Sequence, residues 1–249
     1  MLSPKAQQKD FLIDVGNSTT VFAESDGACF GPVRRLPTVS FESEFGDMGL
    51  DGFSRVVVSS VVPRVDGLLV KYPNVLHVNY LNIPDLSINM PNPEQIGADR
   101  LVNGLAAFTK TGKSCLIVDS GTATTFCYVD KHGIYQGGSI VPGMRISSQA
   151  LNNHTAKLPL IYVSTQTDVL GKSTEEALEK GLFFGFIHLI NGVIAEYKKV
   201  DKDLVVVGTG SGLSVLHPSL NIDAHVPDLI MQGLFICSKK LDPVTQKTI

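Results

Sequence analysis

Two aspartates stand out because each ends an apolar run and is followed by a glycine and two threonines. Asp14 lies in FLIDVGNSTTVFAE (residues 11–24), and Asp119 lies in CLIVDSGTATTFCYVD (residues 115–130). Each stretch predicts a strand, a tight turn at the glycine, which supplies a positive φ, and a second strand. The carboxylate then lies at the end of the first strand.

The first hairpin has the composition of an anion-binding turn. Asn17, Ser18 and Thr19 offer backbone and hydroxyl donors without bulk. Their N–H groups can surround an anion while Asp14 faces a metal ion beside it. An ordinary β-hairpin is the alternative for a single copy of the motif.

The recurrence of the motif favours ligand binding over an ordinary hairpin. Asp119 follows Asp14 by 105 residues (119 − 14), and the same offset pairs Gly16 with Gly121, Thr19 with Thr124, and Thr20 with Thr125. A motif that returns after about one domain length predicts two related halves facing one cleft.

A third carboxylate, Asp99, lies between the two copies in NMPNPEQIGADRLVNGLAA (residues 89–107). Prolines exclude regular structure before residue 94, and apolar spacing predicts a helix from Ala98. Asp99 and Arg100 then fall in its first turn, where an aspartate can also serve only as a helix cap. In phosphoryl transfer, Asp99 could take the acceptor proton while Arg100 binds an acidic acceptor.

The pattern of strands and helices in the remaining chain predicts an α/β layered protein. Residues 55–63 indicate a buried strand, residues 204–216 a strand, a glycine-rich turn and a helix, and residues 227–241 a closing helix. Residues 137–151, GGSIVPGMRISSQAL, indicate a glycine-rich loop near a ligand, or a plain loop, before a helix. Residues 171–199 predict a long helix capped by Ser173 or Thr174, with a core stripe of Leu178, Leu182, Phe186 and Leu189.

Composition limits the class of protein. The chain has 249 residues, 43% hydrophobic and 18% charged, with a net charge of −3, which argues against nucleic acid as the partner. No apolar stretch is expected to reach the roughly 18 residues of a membrane span. The polar N-terminus does not resemble a signal peptide. The four cysteines are scattered, which favours neither a disulfide framework nor a zinc site. A cytoplasmic location is therefore expected.

Six motifs occur in the order seen in type III pantothenate kinases, which the chain resembles over about residues 10–240. They are DVGNST (14–19), PNPEQIGADR (91–100), DSGTATT (119–125), GGSIVPG (137–143), TAKLP (155–159) and GKSTEEALEKGLFFG (171–185). The resemblance implies a duplicated ribonuclease H-like (actin-like ATPase) fold, with one half in residues 1–110 and the other in residues 111–249 around a nucleotide cleft. It also implies a homodimer that phosphorylates pantothenate with ATP in the first step of coenzyme A biosynthesis.

The resemblance also implies roles for individual residues. Asp99 is expected to be the general base, and Asp119 to be associated with a monovalent cation, potassium or ammonium. A divalent cation, magnesium, is expected near the ATP phosphates. The residues expected to bind ATP are Asp14, Val15, Gly16, Asn17, Ser18, Thr19, Thr20, Val21 and Thr122. Those expected to bind pantothenate are Met90, Gly97, Ala98, Asp99, Arg100 and Thr174.

One position departs from the family pattern in a way that bears on the acceptor. Met90 stands where the family usually has a tyrosine in the pantothenate pocket. Methionine fills the volume but cannot donate a phenolic hydrogen bond. Two alternatives therefore remain: a kinase of the same fold acting on another small hydroxyl-bearing acceptor, and a non-catalytic nucleotide-binding regulator.

Overall fold

The computed structural model describes residues 9–241. Residues 1–8, which carry most of the expectation about a signal peptide, lie outside the described residues. Within the described part, contacts divide the chain into two compact units. The first comprises residues up to 110, residues 133–135 and residues from 228 onward, and the second comprises residues 111–132 and 136–227.

The first unit is built on a mixed sheet in the order β3-β2-β1-β4-β5. Its elements are β1 (Asp10–Val15), β2 (Thr19–Ser25), β3 (Arg34–Pro37), α1 (Thr38–Glu44), β4 (Arg55–Ser60), α2 (Pro63–Leu69), β5 (Val75–His77), the short β6 (Ser87–Ile88) and α3 (Ala98–Thr111). β1 pairs antiparallel with β2 and parallel with β4. The β-branched run Val56, Val57 and Val58 is fully buried, as its unbroken apolar pattern predicts for a central parallel strand.

The second unit repeats this order in five strands of its six-stranded sheet, as β9-β8-β7-β10-β11. Its elements are β7 (Cys115–Ser120), β8 (Ala123–Val129), β9 (Ile134–Pro142, in this unit from residue 136), α4 (Met144–His154), α5 (Thr174–Val200), β10 (Val205–Thr209), α6 (Leu213–Leu216) and β11 (Ala224–His225). β7 pairs antiparallel with β8 and parallel with β10, as β1 does with β2 and β4. The expected duplication is therefore confirmed in the strand order and in the parallel and antiparallel pairings.

The C-terminal helix α7 (Leu229–Lys240) packs in the first unit, although it follows the second unit in the chain. It lies against β1 and β4, and Gly233 brings it to the backbone of α3, where a Cβ would lie 3.0 Å from the Val102 carbonyl carbon. The buried side chains of Leu229, Met231 and Leu234 explain this association. Position in the sequence alone places this helix with residues 111–249.

The core face of α5 differs from the predicted stripe. Phe186 is buried, but Leu178, Leu182 and Leu189 are only half-buried, and the buried apolar positions are Phe183, Phe186, Ile187, Ile190 and Ile194. Apolar residues surround much of this helix, so spacing alone could not select the buried face. The N-cap prediction is confirmed: Ser173 caps the helix by accepting a hydrogen bond from the Glu176 N–H at 3.1 Å.

The length and composition of α5 would also permit a membrane span, contrary to the expectation from the sequence. An 18-residue window has a mean hydropathy of 1.3. Core helices of soluble proteins pass the same test, and α5 contributes Phe183, Ile190 and Ile194 to the core of its unit. The helix is thus weak support for a membrane association.

The glycine-rich stretch from residue 137 is a strand at its start, not a loop. Gly137 and Gly138 lie within β9, and the helix that follows, α4, begins at Met144. Gly137 has a φ of 107°, a conformation that favours glycine. A side chain at position 138 would overlap the Phe126 carbonyl of the neighbouring β8.

Candidate active site

Asp14 lies where the pattern predicts, one residue before the end of β1, and is half-buried. In the parallel register Asp14 is opposite Ser59 of β4, and the Ser59 hydroxyl donates a 2.8 Å hydrogen bond to Asp14 Oδ1. Ser59 is fully buried. One carboxylate oxygen of Asp14 is therefore oriented by a fixed donor.

The turn after β1 is closed by a hydrogen bond from the Gly16 N–H to the Thr19 carbonyl at 3.1 Å. Gly16 does not have the positive φ expected from the sequence. Glycine is needed here because a Cβ would lie 2.9 Å from the Thr19 carbonyl oxygen. Glycine is therefore required at position 16 by the close approach of the backbone at Thr19, and not by a positive φ.

The residues expected to bind ATP fall into two groups by exposure. Asn17 and Thr19 are exposed, and Ser18 and Val21 are half-buried. Val15 and Thr20 are fully buried, and the Thr20 hydroxyl meets that of Thr38 at 3.2 Å. The buried side chains of Val15 and Thr20 pack under the turn, whereas the exposed residues Asn17 and Thr19 present the backbone and side-chain groups that a ligand can contact.

The second hairpin has the same form with a turn one residue shorter. Val15 pairs with Thr20 in the first hairpin, whereas Ser120 pairs with Thr124 in the second. Thr20 is therefore equivalent to Thr124, at an offset of 104 (124 − 20), and not to Thr125 as the sequence offset of 105 suggests. Both threonines are fully buried, which agrees with the structural pairing.

Asp119 occupies the position in β7 that Asp14 occupies in β1, and it is also half-buried. Its partner in the parallel register is Thr209 of β10, as Ser59 is the partner of Asp14. Thr122 is exposed on the turn that follows. The duplication thus places a hydroxyl residue beside each of the two carboxylates.

Three glycines from other segments pack against this second turn. Cβ atoms at Gly143 and Gly210 would lie 2.6 Å from the carbonyl oxygens of Thr122 and Ser120, respectively. The Gly212 N–H donates to the Ser120 carbonyl at 2.7 Å. The glycine-rich turn GTGSG (residues 208–212), which supplies two of these glycines, therefore braces the turn beside Asp119.

Asp99 lies in the first turn of α3, as predicted, and its carboxylate folds back toward the start of the helix. The Arg100 N–H donates to Asp99 Oδ1 at 2.9 Å, and a Cβ at position 97 would overlap that same oxygen. Gly97 therefore makes the room that the carboxylate occupies. Burial raises the pKa of Asp99 above its ordinary value of 3.8, and the Arg100 N–H and charge oppose the shift.

The Asp99 segment lies at the same end of the first sheet as the Asp14 hairpin. Val61, which follows β4, donates its N–H to the Val15 carbonyl at 3.1 Å. A Cβ at Gly97 would lie 3.4 Å from Val61 Cγ1. Val61 thus connects the end of β1 with Gly97, and it belongs to an apolar run that carries no chemical signal in the sequence.

The other residues expected to bind the acceptor are distributed over both units. Ala98 is buried in α3, whereas Arg100 is half-buried and donates to the Gln95 carbonyl at 3.2 Å. Met90 is half-buried in the segment after β6. Thr174 is exposed at the first position of α5, in the second unit.

No group of three or more His, Cys, Asp or Glu side chains suited to a metal ion occurs within residues 9–241. A cation beside Asp14 would therefore take most of its ligands from water and from phosphate oxygens, which suits Mg²⁺ because it retains several waters. Oxygen donors from one carboxylate and backbone carbonyls suit a monovalent cation beside Asp119. The residues present fit both ions.

Comparison with known sequences identifies one family. A type III pantothenate kinase family profile matches residues 11–196. A type III pantothenate kinase from Listeria monocytogenes is 38% identical over 200 residues, 77% of each chain. Another from Geobacillus kaustophilus is 35% identical over 254 residues, 92% of this chain and 97% of its own.

Several solved structures have a similar fold, among them the following two. A protein from Campylobacter jejuni, described as a Baf family transcriptional activator, has a TM-score of 0.65 at 20% identity and covers 92% of this chain and 98% of its own. A protein from Sinorhizobium meliloti, described as a 2-dehydro-3-deoxygalactonokinase, has a TM-score of 0.60 at 12% identity, covering 95% and 98%. At these identities the likeness concerns the fold alone.

Proposed function

The chain belongs to the type III pantothenate kinase family and phosphorylates pantothenate with ATP in coenzyme A biosynthesis, and we propose that Asp99 is the general base of this reaction. The acceptor hydroxyl oxygen attacks the γ-phosphorus of ATP and its proton passes to the Asp99 carboxylate, while the bond to the ADP oxygen breaks. The observation that carries this role is the position of the Asp99 segment at the sheet end occupied by the Asp14 hairpin. Burial also raises the pKa of Asp99, which favours proton uptake.

The test of this role is the change Asp99→Asn. Loss of the base should lower kcat by about 10³-fold, the usual contribution of proton transfer to a positioned group. ATP binding, measured by calorimetry, should stay unchanged because the amide keeps the size of the carboxylate. Asp51→Asn, at an exposed carboxylate of the same unit, is the matched control. An Asp99→Asn enzyme with wild-type kcat would remove Asp99 from the base role.

For the first hairpin, we propose that residues 14–21 bind the phosphates of ATP. The exposed turn at Asn17 and Thr19 offers backbone and side-chain donors, and Asp14 is oriented by Ser59. A bound magnesium ion would neutralise charge on the phosphates. Asp14 would hold its water ligands.

For the second hairpin, we propose that Asp119 is associated with potassium or ammonium and that Thr122 contacts ATP. Support comes from the half-buried carboxylate and from the glycines that hold carbonyl groups around its turn. A carboxylate with backbone carbonyls is a set of oxygen donors appropriate to such an ion.

On the acceptor side, we propose that pantothenate contacts Met90, Thr174 and residues 97–100. Arg100 supplies the positive charge that the carboxylate of the acceptor requires. A different small hydroxyl acid is the second candidate acceptor, because Met90 cannot donate the hydrogen bond of the family's usual tyrosine.

Replacing Met90 by tyrosine distinguishes these two acceptors. If pantothenate binds beside residue 90, Met90→Tyr should lower its KM about fivefold, the value of one added hydrogen bond. Met90→Leu, which keeps the volume and adds no donor, should leave KM unchanged. A wild-type enzyme that prefers another hydroxyl acid by kcat/KM in a substrate panel would favour the second candidate.

We also propose that the protein is a cytoplasmic homodimer. The outward face of α5 carries exposed small residues at Ala177, Gly181 and Gly192, and half-buried apolar side chains flank them. A face of this kind suits close packing of a second helix. All four cysteines lie among the described residues and none of them forms a disulfide, which suits a reducing compartment.

A further inference from the structure

Lys180, on the second turn of α5, is a buried charge that the proposed mechanism does not use. Its side chain is only 11% exposed, and its ammonium group contacts the carboxylate of Asp168, which is 64% exposed. The same Nζ donates to the Leu170 carbonyl at 2.9 Å. Lys180 thus binds both a side chain and the backbone of the segment that precedes α5.

That segment, residues 155–173, joins α4 to α5 without helix or strand. Connections of this length inside a compact unit are uncommon and are frequently functional. Here several hydrogen bonds fix its path. The Ser148 hydroxyl donates to the Ile161 carbonyl at 2.9 Å, and Glu179 Oε1 accepts from the N–H and the hydroxyl of Ser164 at 2.9 and 2.6 Å.

The last residues of the segment lie directly on the first turn of α5. The Lys172 N–H donates to Glu176 Oε2 at 2.7 Å, and a Cβ at Gly171 would lie 2.6 Å from the Ala177 Cα. The chain then enters the helix at Thr174. Whatever fixes residues 168–173 therefore also fixes the approach to Thr174.

Burial of a lysine at position 180 requires an explanation, because an apolar residue of similar volume would occupy this buried position without the cost of removing a charge from water. The contacts with Asp168 and Leu170 supply one: the ammonium holds a segment that has no ladder or helix hydrogen bonds of its own. An apolar residue could fill the space but could not bind this backbone.

We propose that Lys180 is a positioning residue that fixes residues 168–173 and thereby places Thr174 for binding of pantothenate. The inference rests on the proposed contact between Thr174 and the acceptor. Lys180 is not assigned any contact with the reacting atoms.

The test combines steady-state kinetics with hydrogen exchange on the full-length chain. Lys180→Met should raise the KM for pantothenate about tenfold, with kcat and the KM for ATP within about twofold of wild type. Amide exchange should become faster in residues 161–173 and remain unchanged in β7 and β10. Lys180→Arg, which keeps the charge and the donors, should restore most of the affinity.

Asp168→Asn is the second variant, since its exposed site should tolerate an amide without unfolding. Asp168→Asn should also raise the KM for pantothenate and make amide exchange faster in residues 161–173. The double variant, with both Lys180→Met and Asp168→Asn, should resemble Lys180→Met alone. Lys199→Met is the matched control, because Lys199 forms an exposed ion pair with Glu196 on the same helix. It should behave as wild type.

Two results would overturn the proposal: an unchanged pantothenate KM in both Lys180→Met and Asp168→Asn, or equal increases in the KM values for pantothenate and ATP with faster exchange throughout the second unit. Failure of this proposal can be distinguished from failure of the proposed function. A wild-type protein that fails to phosphorylate pantothenate would contradict the proposed acceptor, and the exchange data would still decide whether Lys180 fixes the segment.

Discussion

At the scale of single residues, Asp99 is the proposed general base, and its burial also destabilises the folded protein when the carboxylate is charged. Its carboxylate is accommodated because residue 97 has no side chain, and burial raises its pKa. A base with a raised pKa accepts a proton more readily, but the charged form is disfavoured in the folded state. The GADR motif indicated this residue from the sequence, whereas the buried partner of Asp14, Ser59, follows only from the register of β1 and β4.

This cost predicts a pH-dependent gain in stability from Asp99→Asn. Because the folded-state pKa lies above 3.8, Asp99 lowers the free energy of unfolding as pH rises through that folded-state value, and the full loss applies at neutral pH. The substituted amide cannot ionise but can still accept from the Arg100 N–H, so the variant should be more stable than wild type at pH 7.

Urea denaturation at pH 7 and at pH 3.5 measures this difference. A tenfold change in proton affinity corresponds to about 1.4 kcal/mol, so the gain at pH 7 reports the shift directly. The gain should be largely lost at the lower pH, where the carboxyl is mostly protonated in both states. A variant less stable than wild type at pH 7 would contradict burial as the cause of the raised pKa.

At the scale of elements, the strands and turns were largely predictable, and their mutual contacts were not. An apolar run followed by a glycine and two threonines predicted each hairpin. The apolar spacing predicted the helix that begins at Ala98. The predicted core stripe of α5 and the predicted loop at Gly137 were wrong, because the buried face and the strand both depend on neighbours distant in sequence. The bracing of the second turn by Gly143 and the GTGSG segment depends on the same kind of contact.

Gly143→Ala tests this bracing. The added methyl would meet the Thr122 carbonyl oxygen, so the second hairpin must shift and the protein should lose about 1–3 kcal/mol of stability. The KM for ATP should rise because Thr122 moves with the turn.

Gly67→Ala is the control for that change, since a Cβ there has no atom within 4 Å and lies in the helix α2. It should leave the KM for ATP unchanged and slightly increase stability, as replacement of a helical glycine usually does. Equal behaviour of the two variants would exclude a specific role for Gly143.

At the scale of the whole molecule, the two units have the same order in five strands, centred on β1 and on β7. The repeat of Asp, Gly and Thr was sufficient to predict the duplication. The association of α7 with the first unit was not predictable from chain position, because it depends on which sheet receives the apolar face of the helix.

The proposed dimer gives a prediction at the same scale. Gly192→Lys introduces a long charged side chain on the exposed face of α5, where nothing lies within 4 Å of a Cβ. Light scattering should change from twice the chain mass to the chain mass of 26.8 kDa. Lysine favours helix over glycine, so the monomer should remain folded. A wild-type protein that is monomeric at all concentrations would exclude the dimer.

The unequal length of the two turns bears on how the protein evolved. A residue lost or gained within a strand would turn every following side chain to the opposite face of the sheet, so selection removes such changes. A turn absorbs the same change without altering the faces of either strand. The single-residue difference between the hairpins is therefore the kind of divergence that accumulates after a gene duplication.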